Sequence, residues 1–169
     1  MPTDAGIIAI GSDHRAGDIV RSIAAHLEHG GWTVHLFGPA ATGSDESIDY
    51  PDPALAVSDE VAGGRADRGI LICGSGIGMS MAANKVQGVR AALAHDAHAA
   101  EMSRRHNDAN VLCLAAEGSQ KTTLLQIVDT WLTTDFEGGR HQRRVDKMAA
   151  IEIRPPAPST AAPPNQSGR

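Results

Sequence analysis

The sequence predicts an α/β fold in which a parallel sheet is covered by helices on both faces. Three observations carry that expectation. Five short runs of β-forming residues recur along the chain, and longer segments of crossover length, most of them with apolar residues at helical spacing, lie between them. Of the 169 residues 41% are apolar but only 3% aromatic, so the interior is built from Ala, Val, Ile, Leu and Met among 18 glycines, a composition suited to close packing of helix on sheet. Strands joined by such crossovers run parallel and are buried on both sides.

The strands are expected at 7–12, 32–37, 69–73, 89–93 and 110–114. The first helix follows from the stripe Ile19, Ile23, Leu27 and ends at Gly30-Gly31. A second is expected at 51–61, opening with Pro51 in its first turn, and a third at 77–86, rich in Ala and Met. Leu124, Ile127, Val128, Trp131 and Leu132 mark one face of a later helix. Residues 38–47 are polar and glycine-containing and are expected to form a mobile loop. From residue 154 the chain holds five of its nine prolines and no large apolar side chain, which cannot offset the entropy of ordering. The expected organisation is one domain over 1–153 and a disordered tail over 154–169.

Charge and cysteine content narrow the function. A net charge of -5 and a pI near 5.9 argue against sequence-independent nucleic-acid binding, which needs a cationic surface. Two cysteines are too few for a disulfide framework, and with no apolar run of membrane-spanning length and no leader-like N-terminus the chain is expected to be cytoplasmic.

Ligands of open parallel sheets bind beyond the carboxyl ends of the strands. The first strand ends in Gly11-Ser12-Asp13-His14, the third in Cys73-Gly74-Ser75-Gly76-Ile77-Gly78 and the fourth in His95-Asp96, and His106-Asn107-Asp108 precedes the fifth. These four polar clusters are expected to converge on one rim. Gly74, Gly76 and Gly78 let the backbone approach a ligand, and the following helix directs free N–H groups at it, which makes an anion or oxyanion cradle. A dinucleotide fingerprint would need glycine at 79, which is Met79. Cys73, beside that cradle, is placed to act as a thiolate base, although cysteine is more often a small buried hydrophobe. Cys113, inside Val-Leu-Cys-Leu, reads as core. Arg140 and Arg144, four apart after Gly138-Gly139, can fork around a phosphate from one helix face. The spacing of His, Cys and carboxylates suggests neither a structural zinc site nor a hard-metal cluster, so no metal is expected.

Together, Gly-Ser-Asp-His at 11–14, Ile-Asp-Tyr-Pro-Asp at 48–52, Ile-Cys-Gly-Ser-Gly-Ile-Gly-Met-Ser at 72–80, Ser-Arg-Arg-His-Asn-Asp-Ala-Asn at 103–110 and Phe-Glu-Gly-Gly-Arg-His-Gln-Arg-Arg-Val-Asp-Lys at 136–147 resemble the type B ribose-5-phosphate isomerases of the ribose/galactose-6-phosphate isomerase family. The resemblance spans about 7–150. It implies a Rossmann-like three-layer sandwich, a homodimer or tetramer with sites shared between subunits, and cofactor-free aldose–ketose isomerisation of a sugar phosphate. By the same resemblance Cys73 is the base that moves a proton between C2 and C1. Ser75 and the amides of Gly74, Gly76, Ile77 and Gly78 hold the enediolate, and His106 assists ring opening. Asp13 and Asn107 bind sugar hydroxyls, Tyr50 lines the pocket, and His14, Arg140 and Arg144 bind phosphate. One branch of the family carries a glutamate base where this chain has Met79, so the chain resembles the cysteine branch. A phosphate-binding arginine common in the family is replaced here by Glu117, which leaves three possibilities: Glu117 points away, Arg143 compensates, or the substrate differs. The same chemistry on a tetrose phosphate or hexose 6-phosphate, and a non-catalytic sugar-phosphate or nucleotide binder on this fold, are the competing readings.

Overall fold

The structure, a computed structural model, describes residues 5–43 and 47–155. Residues 44–46 of the expected mobile loop, and the expected disordered tail from residue 156 onward, lie outside the described residues.

The elements alternate along the chain. They are β1 (Ile7–Ser12), α1 (Gly17–His29), β2 (Thr33–Phe37), α2 (Pro39–Thr42), α3 (Pro51–Ala62), β3 (Arg68–Cys73), α4 (Ile77–Ala83), β4 (Ala91–Leu93), α5 (Ala97–Asn107), β5 (Val111–Ala115), α6 (Lys121–Thr133) and α7 (Arg140–Glu152). The strands pair in the order β2-β1-β3-β5-β4, every neighbouring pair parallel. Successive side chains alternate between the two faces. Ile8, Ile10, Ile70, Ile72, Leu112 and Leu114 therefore face α1 and α6, where they meet Val20, Ile23, Leu27, Leu124, Ile127 and Trp131. Ala9, Leu71, Cys73, Val111 and Cys113 face the other way, against Val57 and Val61 of α3 and Met79 and Ala83 of α4. This is the expected α/β sandwich of three layers. On its first face His26 of α1 and Asp129 of α6 meet at 2.6 Å.

Where the elements differ from expectation, side-chain hydrogen bonds account for it. The third helix ends at Ala83 and not at residue 86, because Asn84 turns back: its Nδ2 donates to the Ser80 carbonyl and its Oδ1 accepts from the Ala91 amide. The fourth strand is correspondingly shorter than 89–93, since the Arg90 amide is taken by Asn110 Oδ1 at 2.7 Å. Within the expected loop at 38–47, residues 39–42 form a helical turn led by Pro39. Helix α5 has no stripe of large apolar side chains and was not legible as an element; Ala100, Ser103 and Arg104 are its buried residues. Among the described residues no helix is long and apolar enough to cross a membrane.

Helix α3 lies close on the sheet because Gly11 and Gly69 leave room for Val57. A Cβ on Gly11 would come within 2.9 Å of a Val57 methyl and 3.0 Å of the Pro53 carbonyl oxygen. Gly11→Ala is accordingly expected to destabilise the protein by about 1–3 kcal/mol through overpacking, seen as a lower urea midpoint with an unchanged m-value.

Candidate active site

From β1 the chain moves outward to β2 and then returns to place β3 on the other side of β1. The crossovers α1 and α3 consequently lie on opposite faces, and a crevice opens beyond the carboxyl ends of β1 and β3. That crevice is a cleft of about 330 Å³. Asp13, His14 and Arg15 enter it from the end of β1, Cys73, Gly74, Ser75 and Gly78 from the end of β3, and Tyr50 with its preceding residues forms the outer wall. The Asp13 amide donates to the Ile72 carbonyl at 3.3 Å and its carboxylate accepts from the Arg15 amide at 2.9 Å, so the two strand ends are tied and Asp13 is held rigid.

Cys73 lies at the floor of this cleft. Only 5% exposed, its side chain rests on the apolar layer beneath, yet its sulfur accepts a hydrogen bond from the Gly76 amide at 3.1 Å. The loop thus places a backbone donor on the sulfur at the floor of the cleft. Cys113 is the contrast: two residues inward on the next strand, it has no exposure, and burial pushes its thiol far above the ordinary value. The cradle residues each have a reason to be glycine. Gly76 takes φ +72°, and a Cβ there would lie 2.9 Å from the Leu114 carbonyl oxygen. A Cβ on Gly78 would stand 2.6 Å from the Tyr50 ring, and one on Gly74 2.8 Å from the Glu117 carboxylate. Ser75 is exposed at the lip, its Oγ accepting from the Ile77 amide at 3.3 Å. Since α4 has seven residues, the loop amides do more here than a helix dipole.

Glu117 does not line the cleft but stands directly behind two residues that do, Arg15 and Gly74. It reaches the Gly74 side of the rim, where its carboxylate is paired with Arg15 at 3.0 Å. Arg143, the compensating residue considered from the sequence, is on α7 and takes no part in this contact. Arg15 is the functional candidate that sequence reasoning missed; its position next to His14 was the available signal.

The expected convergence of four polar clusters on one rim does not occur within one chain. His106 and Asn107 end α5, immediately before β5, and Val111 at the start of β5 pairs with Gly69, whereas Ala115 pairs with Cys73. Four residues of strand, at about 3.3 Å each, separate the two edges by on the order of 13 Å. The physical reason is the crossover itself: a helix returning from the end of one parallel strand to the start of the next finishes on the opposite edge.

A second polar cluster is built at that edge. Asp108, in the left-handed conformation at φ +47°, accepts from Arg90 and from the buried Arg104, each at 2.8 Å, which fixes the turn that carries His106 and Asn107. The His106 ring stacks in parallel on His141 of α7, centroids 4.2 Å apart. Glu137 holds Arg105 through Oε1 and turns Oε2 toward both imidazoles, 3.9 Å from His106 Nε2 and 3.6 Å from His141 Nε2. The Arg105 hydrogen bonds keep the Glu137 carboxyl below its ordinary pKa; burial, with nearby His106 and the guanidinium groups of Arg140 and Arg144, keeps that of His141 low. Arg140 and Arg144 are exposed on the same helix. Glu137 and His141 stood in the quoted motif at 136–147, but their approach to His106 depends on α7 packing beside α5.

Comparison with known proteins gives a consistent picture. A family model described as Ribose/Galactose Isomerase matches residues 8–148. Ribose-5-phosphate isomerase B of Escherichia coli (strain K12) is 46% identical over 147 residues, 87% of this chain and 97% of that protein. The structure of Clostridium thermocellum ribose-5-phosphate isomerase B superimposes with a TM-score of 0.83 at 49% identity, covering 86% of this chain and 97% of that one. Ribose-5-phosphate isomerase B from Mycoplasma genitalium, solved with bound ribulose-5-phosphate, gives 0.82 at 44% identity, covering 86% and 95%.

The different surroundings of the two thiols have a direct chemical consequence. Iodoacetamide acting on the native protein is expected to alkylate Cys73 and spare Cys113, giving one adduct per chain by intact mass and none in Cys73→Ala; two adducts before unfolding would contradict the burial of Cys113.

Proposed function

The chain belongs to the ribose/galactose isomerase family, and from that premise we propose that it interconverts ribose 5-phosphate and ribulose 5-phosphate, with residues 1–153 as a single catalytic domain. The observation that carries this reading is the Cys73 sulfur at the floor of the cleft, facing the Gly76 amide at 3.1 Å beside an open oxyanion cradle. In the forward direction the thiolate takes the proton from C2 of the open-chain aldose. The electron pair moves into the C1 carbonyl, and the negative charge that collects on oxygen is met by the amides of Gly74, Gly76, Ile77 and Gly78 and by Ser75. The thiol then returns the proton to C1 while the C2 hydroxyl proton passes to the oxygen on C1, so that C2 becomes the carbonyl, C1 carries the hydroxyl, and the ketose results with the thiolate regenerated. No electron leaves the substrate, so no redox cofactor is required. Asp13, anchored between two strand ends, and Tyr50, against Gly78, bind and enclose the sugar.

The remaining groups come from a second copy. His106 for ring opening, Asn107 for a hydroxyl, and Arg140 and Arg144 for the phosphate stand on the edge opposite Cys73, so one chain carries two half-sites that face apart. A homodimer brings the α5–α7 edge of one protomer over the Cys73 cleft of its partner and completes two sites. Exposed Leu55, Ile77 and Met81, next to the cleft on α3 and α4, supply apolar surface for such an interface. Phosphate held by His14 of one protomer and Arg140 and Arg144 of the other uses binding energy far from the reacting carbons to align them. The two free thiols suit a cytoplasmic setting.

Incubation with ribose 5-phosphate in deuterated water is expected to exchange the C2 hydrogen, and Cys73→Ala to lower kcat by about 10²–10⁴-fold while leaving the circular dichroism spectrum unchanged. Near-native turnover of Cys73→Ala removes the thiolate base, and faster turnover of a tetrose or hexose phosphate would reassign the substrate.

Shared sites predict complementation. Cys73→Ala and His106→Ala are each expected to be inactive alone and to regain activity when mixed and allowed to exchange subunits, because the heterodimer contains one intact site. Inactive mixtures whose subunits demonstrably exchange would exclude a site shared in this way.

A further inference from the structure

The cluster at the α5–α7 edge holds more electron-pair donors than proton transfer requires. His106, Glu137 and His141 each offer one ligand atom, and these atoms all lie within 4.8 Å of one another. The Arg140 Nε–H donates to His141 Nε2 at 3.2 Å, so that nitrogen carries a lone pair and the ring proton sits on Nδ1, which is buried without a partner among the described residues. The His141 and Glu137 acceptors face each other at 3.6 Å, an arrangement that a cation between them would relieve.

We propose that His106, Glu137 and His141 form a binding site for a late first-row divalent cation, Zn²⁺ being the best match, and that its occupancy shuts the isomerase off. Two imidazoles and one carboxylate are a ligand set that zinc accepts, with bond lengths of about 2.0–2.2 Å that bring neighbouring ligand atoms to about 3.4 Å in a tetrahedral site. The present separations of 3.6 and 3.9 Å are near that value, and because the lone pairs of stacked rings run parallel, the half-exposed His106 has to leave its stack on His141 and turn its Nε2 toward the ion. The supporting contacts exist. Arg105 fixes Glu137 through the other oxygen, leaving Oε2 free, and His141 is held in place by burial at 3% exposure. The fourth position opens to solvent, since the His106 side chain is 36% exposed. The nearby cations lower affinity: Arg140 must leave the His141 lone pair, and Arg105 and Arg144 repel the metal. Binding is therefore weaker than in structural zinc sites.

The inhibitory part rests on the reading of His106 as the ring-opening residue and Arg140 as part of the phosphate clamp. A metal bound here takes the His106 lone pair and displaces Arg140. Within one chain the thiol is on the opposite edge, and in the proposed homodimer the partner's Cys73 faces this cluster across the substrate, so the ligand set is tested against a thiolate directly.

The test uses the metal-free full-length protein titrated with Zn²⁺ by calorimetry and with Co²⁺ by visible absorption. Expected are one ion per chain, a cobalt spectrum of nitrogen and oxygen ligands without a thiolate charge-transfer band, and unchanged binding in Cys73→Ala. Glu137→Gln, at a partly exposed position, and His141→Gln, which keeps the volume, should each weaken binding at least 10-fold. Activity lost on adding Zn²⁺ should return with chelator. Absence of binding, full-strength binding by Glu137→Gln, or a cobalt–thiolate band that disappears in Cys73→Ala overturns the site. Binding without loss of activity would retain the metal site and overturn its inhibitory role, and calorimetry reads the site whether or not ribose 5-phosphate is the substrate.

Discussion

The geometry of parallel strands governs everything else in this molecule. Every strand ends on one edge of the sheet, and every returning helix ends on the other. Cys73 terminates β3 and His106 sits in the last turn of α5, so the proposed base and the proposed ring-opening residue are separated by the length of a strand. No loop rearrangement within one chain closes that gap without unpairing β5, whose hydrogen bonds and buried Val111, Leu112, Cys113 and Leu114 hold the centre of the sheet. The proposed homodimer would meet the constraint symmetrically, as an isologous interface does, and on that reading dimerisation is a condition of catalysis and not an addition to it.

The same constraint explains how two cysteines on adjacent strands differ in chemistry. Cys113 and Cys73 both face the α3–α4 layer, and Leu71 is the residue paired with Cys113. Cys73 comes two residues later, at the last position of its strand, where the ladder gives way to the turn at 74–76 and the Gly76 amide becomes free to reach the sulfur. At the strand end the sulfur meets an amide donor and an adjoining cleft; inside the sheet the Cys113 thiol is buried, and burial, with the nearby Cys73, pushes it up.

Much of this was legible in the sequence because period-two alternation and glycine placement are local signals. The strands 7–12 and 69–73 emerge from Ile-rich runs bounded by turns, and the crevice between them follows from the rule that ligands sit beyond carboxyl ends. What was not legible depended on side chains satisfying distant backbone. Asn84 and Asn110 replace strand pairing near residue 90, which no propensity reveals. Helix α5 is held by the buried Arg104, which donates to the Ala109 carbonyl and lies over Trp131 at 5.9 Å, so an apolar stripe is not what fixes it. The assembly of Glu137, His141 and His106 spans a gap of 31 residues between 106 and 137, and it exists only once α7 packs on α5.

Glu117 shows how a charge can be moved without being lost. On the isomerase reading, a carboxylate at the rim of a phosphate-binding cleft is repulsive unless neutralised, and Arg15, from the adjacent loop after β1, meets it at 3.0 Å. The two side chains are 58% and 65% exposed, so their pairing contributes little to folding and can be exchanged at small cost. A phosphate dianion arriving at His14 offers Arg15 a stronger, bidentate partner one residue away. On that reading a weak, exposed pair with Glu117 leaves the guanidinium able to turn to the substrate, and the Arg15–Glu117 pair cancels at the rim a charge that Glu117 alone would set against a phosphate.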